Sequence, residues 1–593
     1  MKSFIEFKNS RPLINIDGKL HYPLAYTTYF DECGEFGDFV KSGYRMFFVN
    51  TSFTDLPINN VSGFTPTRVG VFEKETPDYS EFDSTVAKIL NICPDAFIFP
   101  RITVSMPRKW INENPTETVD TPSGKRESLL SDIYLRDGTI LLKEFVNHIQ
   151  KADYAHRIAG YQLCGGTTQE WMHHDTFGSF SPKSLTKFSE WMLQKYDITN
   201  TSLPQKEDFY NGEYCESASK YGEFSCEMVA KTIEHFAKEL KEYINNDKIV
   251  GTFYGYNAFV DDYMLGLHGL RHIISSQYID FFSSPCCYDN NRYLGIDWGD
   301  MLPVDSVKLH QKMCFIECDI RTHLTRRMQD SRPGEYPDDI LLLTDKDGNK
   351  TVWSGPDTPE LSLSAIRKAF IHQLTKDSGI WWFDMWGGWY HDPRIMAELE
   401  EMKSVAQSAE NKNPENFPAP ETVLFVDETA YLNLPRHNYL NGTVNNIRNS
   451  MGNTGIPFDM FMVEDAEKIM HKYHAAIFTT PLPSQAGKAA VEMCKKAGIP
   501  YLNSTEEKPF FTTEELRNFL TSNGVHCYNA DGNVIYSSGG FIGIHSVNYG
   551  EVKIKLPKEY TVKPLLGTEL AEQKTDEFSI EITKHNTAIF ELM

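Results

Sequence analysis

IAGYQLC (Ile158–Cys164) is followed closely by PKSLTKFSEWMLQKY (Pro182–Tyr196). The first run is short and rich in aromatic and branched residues, as a buried strand is. In the second, Leu, Phe and Trp recur at three- and four-residue spacing, as on one face of a helix. The unit repeats. Similar runs occur at Pro23–Phe30, Tyr44–Asn50, Ala96–Ile102, Lys248–Tyr256, Ile279–Pro285, Met313–Asp319 and Gly379–Trp386, with a second clear helix at Cys226–Ile244. Eight strands alternating with helices predict an α/β chain closed as a (β/α)8 TIM barrel. A doubly wound open sheet is the alternative. It needs a glycine-rich phosphate loop after an early strand, and DECGEFGDFVKSG after the first run contains no G-x-G-x-x-G.

The composition agrees with a globular chain of several domains. The 593 residues are 41% apolar and 13% aromatic, which excludes disordered and collagen-like classes. Acidic residues outnumber basic ones by 81 to 58, a net charge of −23 that repels phosphate backbones and argues against nucleic-acid partners. No apolar window is long enough to span a bilayer, and MKSFIEFKNSRPLINIDGK lacks the apolar core of a secretory signal. A cytoplasmic protein without membrane contact is expected, or a periplasmic or secreted one if a leader has been removed. Eleven cysteines without a C-x-x-C pair read as reduced thiols, and no metal site or cofactor is expected.

In such a barrel, chemistry sits at the C-terminal ends of the strands. Those ends carry Arg101, Gln169-Glu170, Tyr256-Asn257, Tyr288, Glu317 with Asp319, and Asp384 with Trp386. Glu170 follows the fourth strand and Glu317 lies on the seventh, so the two face each other across the mouth. Two carboxyl groups about 5–5.5 Å apart are what a retaining glycosidase needs, one to attack the anomeric carbon and one to protonate the leaving oxygen. Each alone also reads as a solvated or ion-paired carboxylate. WWFDMWGGWY (Trp381–Tyr390) gathers four of the nine tryptophans at the last strand, and sugar sites pair aromatic platforms with a few polar groups. Strand alternation, counted back from Trp386 at the mouth, places Trp382 and Asp384 on its side and sends Trp381, Phe383 and Met385 outward. His173-His174-Asp175 reads as a metal or sugar contact or, more simply, as a solvated pair. Arg321 and His323 read as support for Glu317 or as packing.

GYQLCGGTTQEW followed by FGSFSPKSLTKFSEWMLQKY resembles the acid/base segment of glycoside hydrolase family 42 β-galactosidases. TFYGY, YIDFFSSPCCY, PVDSVKLHQKMCFIECDIRTHL and GIWWFDMW resemble further strands of that family and of related clan A glycosidases, including a β-mannosidase family. The resemblance implies Glu170 as general acid/base and Glu317 as nucleophile. It has Arg101 and Trp386 shape the subsite of the cleaved sugar and puts Tyr288 near the nucleophile, and Tyr256 stands with them as a substrate contact at the fifth strand. In the clan an Asn usually precedes the acid/base Glu and contacts the sugar 2-hydroxyl; here it is Gln169. The longer amide leaves axial 2-hydroxyl sugars such as mannose open beside galactose. The family's zinc-binding cysteines are not recognisable.

NKNPENFPAPET (Asn411–Thr422) reads as a linker. Beyond it VLFVDE, AAIFTTP and AGIPYLN alternate with helices such as Ser484–Lys496, and the end of the chain alternates apolar and polar residues. The expected domains are therefore a catalytic barrel over 1–412, an α/β domain over 413–525 and a small antiparallel β domain over 526–593. By resemblance the middle domain is flavodoxin-like and trimerising, which implies a homotrimer. The expected function is a retaining exo-β-glycosidase, β-galactosidase-like, taking small oligosaccharides or glycosides, with a β-mannosidase or other β-glycosidase as the near alternative. A sugar-binding protein whose catalysis has lapsed, and an effector-binding regulator centred on the C-terminal half, are the alternatives of other classes.

Overall fold

Eight parallel strands close on themselves. They are β1 (Leu24–Thr27), β2 (Met46–Ser52), β3 (Phe97–Thr103), β4 (Gly160–Gly166), β5 (Ile249–Phe253), β6 (Phe281–Ser283), β7 (Met313–Cys318) and β8 (Gly379–Phe383). Each pairs with its successor, and β8 returns to β1 through Ile380–Leu24 to Phe383–Thr27. All eight fall within the runs singled out in the sequence or overlap them, and the barrel, not the open sheet, is the fold. The computed structural model describes all residues except 59–62, 122–123, 167, 174–181, 206, 211, 257, 259–264, 289–291, 435–437 and 441.

Aromatic rings fill the barrel. Phe48 of β2 packs on Phe99, Phe315 and Trp381 at 5.0, 5.2 and 5.6 Å between centroids, and Phe281 stands 5.7 Å from Phe315. This crowding explains Gly251 on β5, where a Cβ would lie 2.2 Å from the Phe281 ring. Above the rings comes a polar level, since Asn50, Arg101 and Gln162 are register partners on β2, β3 and β4 and all are buried. The opposite end is covered by an N-terminal antiparallel sheet (Ser3–Lys8, Arg11–Ile16, Lys19–His21) that the sequence reading did not assign. Ser3 donates its backbone N–H to Asp247, and Arg11 pairs with Asp377 at 2.6 Å, both just before strands β5 and β8.

Alternation along β8 corrects the assignment made from Trp386. Trp381 and Phe383 point into the barrel, where both rings lie under the Arg101 guanidinium. Trp382 and Asp384 point to the helix layer: Trp382 donates to Tyr44 Oη at 3.0 Å, and Asp384 accepts from Tyr26 Oη at 3.2 Å and from the Gly388 and Trp389 N–H groups. The strand ends at Phe383 and a turn through Gly387 and Gly388 follows, so the parity of Trp386 does not carry back along it.

After the barrel, β9 (Thr422–Val426), β10 (Asp459–Met462), β11 (Ala475–Phe478) and β12 (Tyr501–Asn503) form a parallel sheet in the order β10-β9-β11-β12, a flavodoxin-like order. Asp459–Met462 was not legible as a strand. Asp305 of the barrel accepts from the Met460 N–H at 2.8 Å and pairs with Lys376, which also pairs with Asp459. Five antiparallel strands complete the chain: β13 (Val534–Ser538), β14 (Phe541–His545), β15 (Gly550–Leu566), β16 (Gln573–Ile582) and β17 (Thr587–Leu592). All eleven cysteines are free thiols.

The tight approach at Gly251 makes a sharp stability test. Gly251→Ala forces the Phe281 ring off its position and is expected to cost about 1–3 kcal/mol, read as a lower urea midpoint at unchanged slope. An unchanged midpoint would mean the aromatic layer has slack there.

Candidate active site

The end of β4 builds the first part of the site. Gly165 has no side chain because a Cβ would lie 2.6 Å from the Trp171 ring, and this bare stretch lets the chain double back on itself. Thr168, Gln169 and Trp171 take left-handed backbone angles, with φ of +54°, +73° and +57°. Each such residue costs free energy that its surroundings must offset. Two hydrogen bonds hold the reversal: Trp171 Nε1 donates to Thr252 Oγ1 at 2.9 Å, and Gln169 Nε2 donates to Thr103 Oγ1 at 2.6 Å. Glu170 is thereby presented at the mouth, accepting from Thr168 Oγ1 at 2.7 Å.

Glu317 enters from β7, 3% exposed. Asp319 lies two residues on and is held on three sides. Tyr288 Oη donates to its Oδ2 at 2.9 Å, Arg321 Nη1 donates to the same oxygen at 2.5 Å, and Arg292 Nη1 pairs with Oδ1. Arg101 stands over the rings of Trp381, Phe253, Tyr29 and Phe383 at 4.8 to 5.6 Å, and among the described residues none of its nitrogens has a hydrogen-bond acceptor. Trp386, 4% exposed, packs 6.2 Å from Tyr29, 5.4 Å from Phe64 and 6.2 Å from Trp353.

The electrostatics tie these groups into one cluster. Burial pushes the Glu170 carboxyl up to about 7, while Thr168, Tyr256 and Arg101 oppose the rise. Burial also pushes the Glu317 carboxyl well above its usual range, reinforced by Asp319 and Glu170 and opposed by Arg101 and Arg292. Each carboxylate thus raises the proton affinity of its neighbours, and the cations decide where charge settles. Tyr256 lies within the field of both Glu170 and Glu317, which with burial hold its phenol protonated.

The strand ends also concentrate buried polar atoms that have no hydrogen-bond partner among the described residues. They include the Arg101 nitrogens, both amide atoms of Gln162, Gln169 Oε1 and the hydroxyls of Ser283 and Ser284. Folded proteins satisfy nearly all buried polar groups. Donors and acceptors gathered at one mouth, over an aromatic floor, suit a small ligand that carries many hydroxyls.

The structure therefore brings Arg101, Gln169, Glu170, Tyr256, Tyr288 and Glu317 together, with Trp386 joined through Tyr29. Arg321 supports Asp319 and not Glu317 itself. His323 bonds Ser362 at 3.1 Å and pairs with Asp392 at 3.3 Å, which makes it packing. His173 is buried and its Nε2 meets the Glu127 carbonyl at 2.9 Å; His174, Asp175 and Asn257 lie outside the described residues. Sequence reasoning missed Arg292, Gln162, Thr103 and Tyr29 as members of the site. The Gln162 and Thr103 positions follow from alternation with Cys164 and Arg101, whereas Arg292 sits in irregular chain that carries no periodic signal. Among the described residues one trio has metal-ligand spacing, Glu35, Asp38 and His391, and its ring nitrogen is already engaged by Asp38 at 2.8 Å.

No protein-family model matches the sequence, and no curated protein does. Solved structures do match the fold. A glycoside hydrolase family 42 β-galactosidase from G. stearothermophilus aligns over 96% of this chain and 98% of its own, at 10% identity and a TM-score of 0.63. A β-galactosidase from the psychrophilic Marinomonas ef1 covers 96% of this chain and 100% of its own, at 11% identity and 0.60. A family 42 exo-carrageenase from Bacteroides ovatus covers 100% and 85%, at 11% identity and 0.57. The chain has the three-part fold of family 42 structures.

Glu170 is expected to ionise as pH rises through about 7. Infrared difference spectra of the wild type against Glu170→Gln should show a protonated carboxyl band at pH 6 that is gone by about pH 9. A band already absent at pH 6 would place the proton elsewhere.

Proposed function

We propose that the protein is a retaining exo-β-glycosidase that removes a terminal β-linked sugar from small oligosaccharides or glycosides. The observation that carries this reading is the pair of carboxyls, Glu317 buried and Glu170 partly buried, on opposite strand ends of one barrel mouth, with Glu170 acting on the field at Glu317. Such a pair cannot be doubly ionised cheaply, so it holds one proton at neutral pH. We assign the charge to Glu317, because Arg101 and Arg292 both favour its ionised form, while Glu170 has Arg101 alone among the cations acting most strongly on it.

The chemistry follows from that division. Glu317 attacks the anomeric carbon while Glu170 gives its proton to the leaving oxygen, and a glycosyl-enzyme forms on Glu317. The loss of charge on Glu317 lowers the proton affinity of Glu170, which then takes a proton from water as that water releases the sugar. Arg101 and the aromatic floor shape the place of the cleaved ring, and Trp386 walls it. Gln169 offers its unpaired Oε1 to a sugar hydroxyl where the clan has the shorter Asn. The family 42 folds that match are β-galactosidases and an exo-carrageenase, which supports a β-galactosidase-like enzyme; a β-mannosidase remains the near alternative on the strength of Gln169.

Two outcomes check the roles. A 2-fluoro glycoside should inactivate the enzyme and leave its label on Glu317; a label on Glu170 or Asp319 would reverse the assignment. Glu170→Gln should lower kcat by about 10²- to 10⁴-fold on alkyl glycosides, and far less on dinitrophenyl glycosides, whose leaving group needs no proton. An equal loss on both would deny Glu170 the acid role.

A further inference from the structure

Between the chain segments that follow β6 and β7 lies a cavity of about 430 Å³ walled in part by Arg292, Trp298, Arg321, Lys350 and His585; two of these, Arg292 and Arg321, hold Asp319, two residues beyond Glu317. Arg321 is 5% exposed and uses one edge of its guanidinium, Nη1, to hold Asp319. Its Nε and Nη2 have no acceptor among the described residues. The side chain is not free to reach solvent for one, because the guanidinium packs against the Trp353 and Trp389 rings, at 5.0 and 5.4 Å from their centroids.

The two Arg321 nitrogens are both donors. A sugar hydroxyl would meet one of them and bring no charge. Yet two guanidinium groups on the cavity wall, Arg292 and Arg321, converge on one carboxylate, Asp319. Lys350 does not change this balance, since it pairs with Asp357 at 2.6 Å. A buried guanidinium lacking acceptors is an expensive arrangement unless a ligand supplies them, and planar guanidinium groups pair best with carboxylate, phosphate or sulfate oxygens.

We propose that this cavity seats an anionic substituent, a sulfate ester or a uronate carboxylate, carried by the glycan whose bond is cleaved at Glu317, with Arg321 as the residue that binds it. The substrate class is then an acidic glycoside and not a neutral one. The identity of the ligand as a glycan rests on the glycosidase reading; the preference for an anion rests on Arg321 and its neighbours.

The test compares monosulfated and uronic-acid oligosaccharides with their neutral parents on the full-length protein, by calorimetric binding and by kcat/KM. At least one anionic member should be favoured about tenfold or more over its parent, and the two arms separate a tetrahedral sulfate from a planar carboxylate. In Arg321→Gln the preference should fall to within about twofold, with part of it kept by Arg321→Lys. Equal affinity for every neutral and anionic pair, or an intact preference in a folded Arg321→Gln, overturns the inference. Should that variant not fold, inorganic sulfate decides: competition with the anionic ligand but not the neutral one on the wild type supports the subsite, and no competition overturns it. Turnover without preference removes the subsite and leaves the glycosidase reading standing. Binding preference without turnover of any glycoside does the reverse.

Discussion

Charge balance in a dry place is the constraint on which this molecule turns. Glu170, Glu317 and Asp319 share the mouth of one barrel with Arg101, Arg292 and Arg321, and most of these side chains are almost fully buried. A lone buried charge costs several kcal/mol, so each of these groups persists only because the others are there. The aromatic floor sharpens the effect. It keeps water out beneath Arg101 and so makes every pairwise interaction above it stronger than it would be in solvent.

The rest of the fold is arranged to hold that cluster still. Strands β3, β4 and β7 contribute Arg101, the Gly165–Gln169 reversal and Glu317 from separate parts of the chain, and barrel closure fixes their spacing. The left-handed backbone before and after Glu170 shows where local stability is given up. Strain of this kind concentrates at sites where a side chain must be aimed, and here the Trp171 and Gln169 hydrogen bonds keep it aimed. Asp319 plays a different part, since it draws Tyr288, Arg292 and Arg321 to one point two residues beyond Glu317, and Arg292 offsets the rise that Asp319 itself causes in the Glu317 carboxyl.

Much of this was legible in the sequence because periodicity is a local signal. All eight barrel strands and the helix Pro182–Tyr196 show in the residue pattern, and strand ends in a barrel are where functional groups collect. What was not legible depends on local breaks or on distant packing. The turn after Phe383 reverses the faces that alternation assigns to Trp381 and Trp382, and no pattern in the sequence marks it beyond the two glycines that follow. Arg292 reaches Asp319 from irregular chain, and the place where the sheet formed by Ser3–His21 docks on the barrel is set by contacts with residues more than a hundred positions away. Gln169, by contrast, stood out by departing from a familiar motif, and the structure gives it a partner in Thr103 that no spacing rule would have found.

The central claim is that Glu317 and Glu170 cleave a β-glycosidic bond by two successive displacements. Proton NMR of the first-formed sugar, recorded before mutarotation, tests it most directly. Double displacement predicts that the β anomer appears first and the α anomer only later by equilibration. An α anomer formed first would mean a single displacement by water, and the account of Glu317 as nucleophile would be wrong.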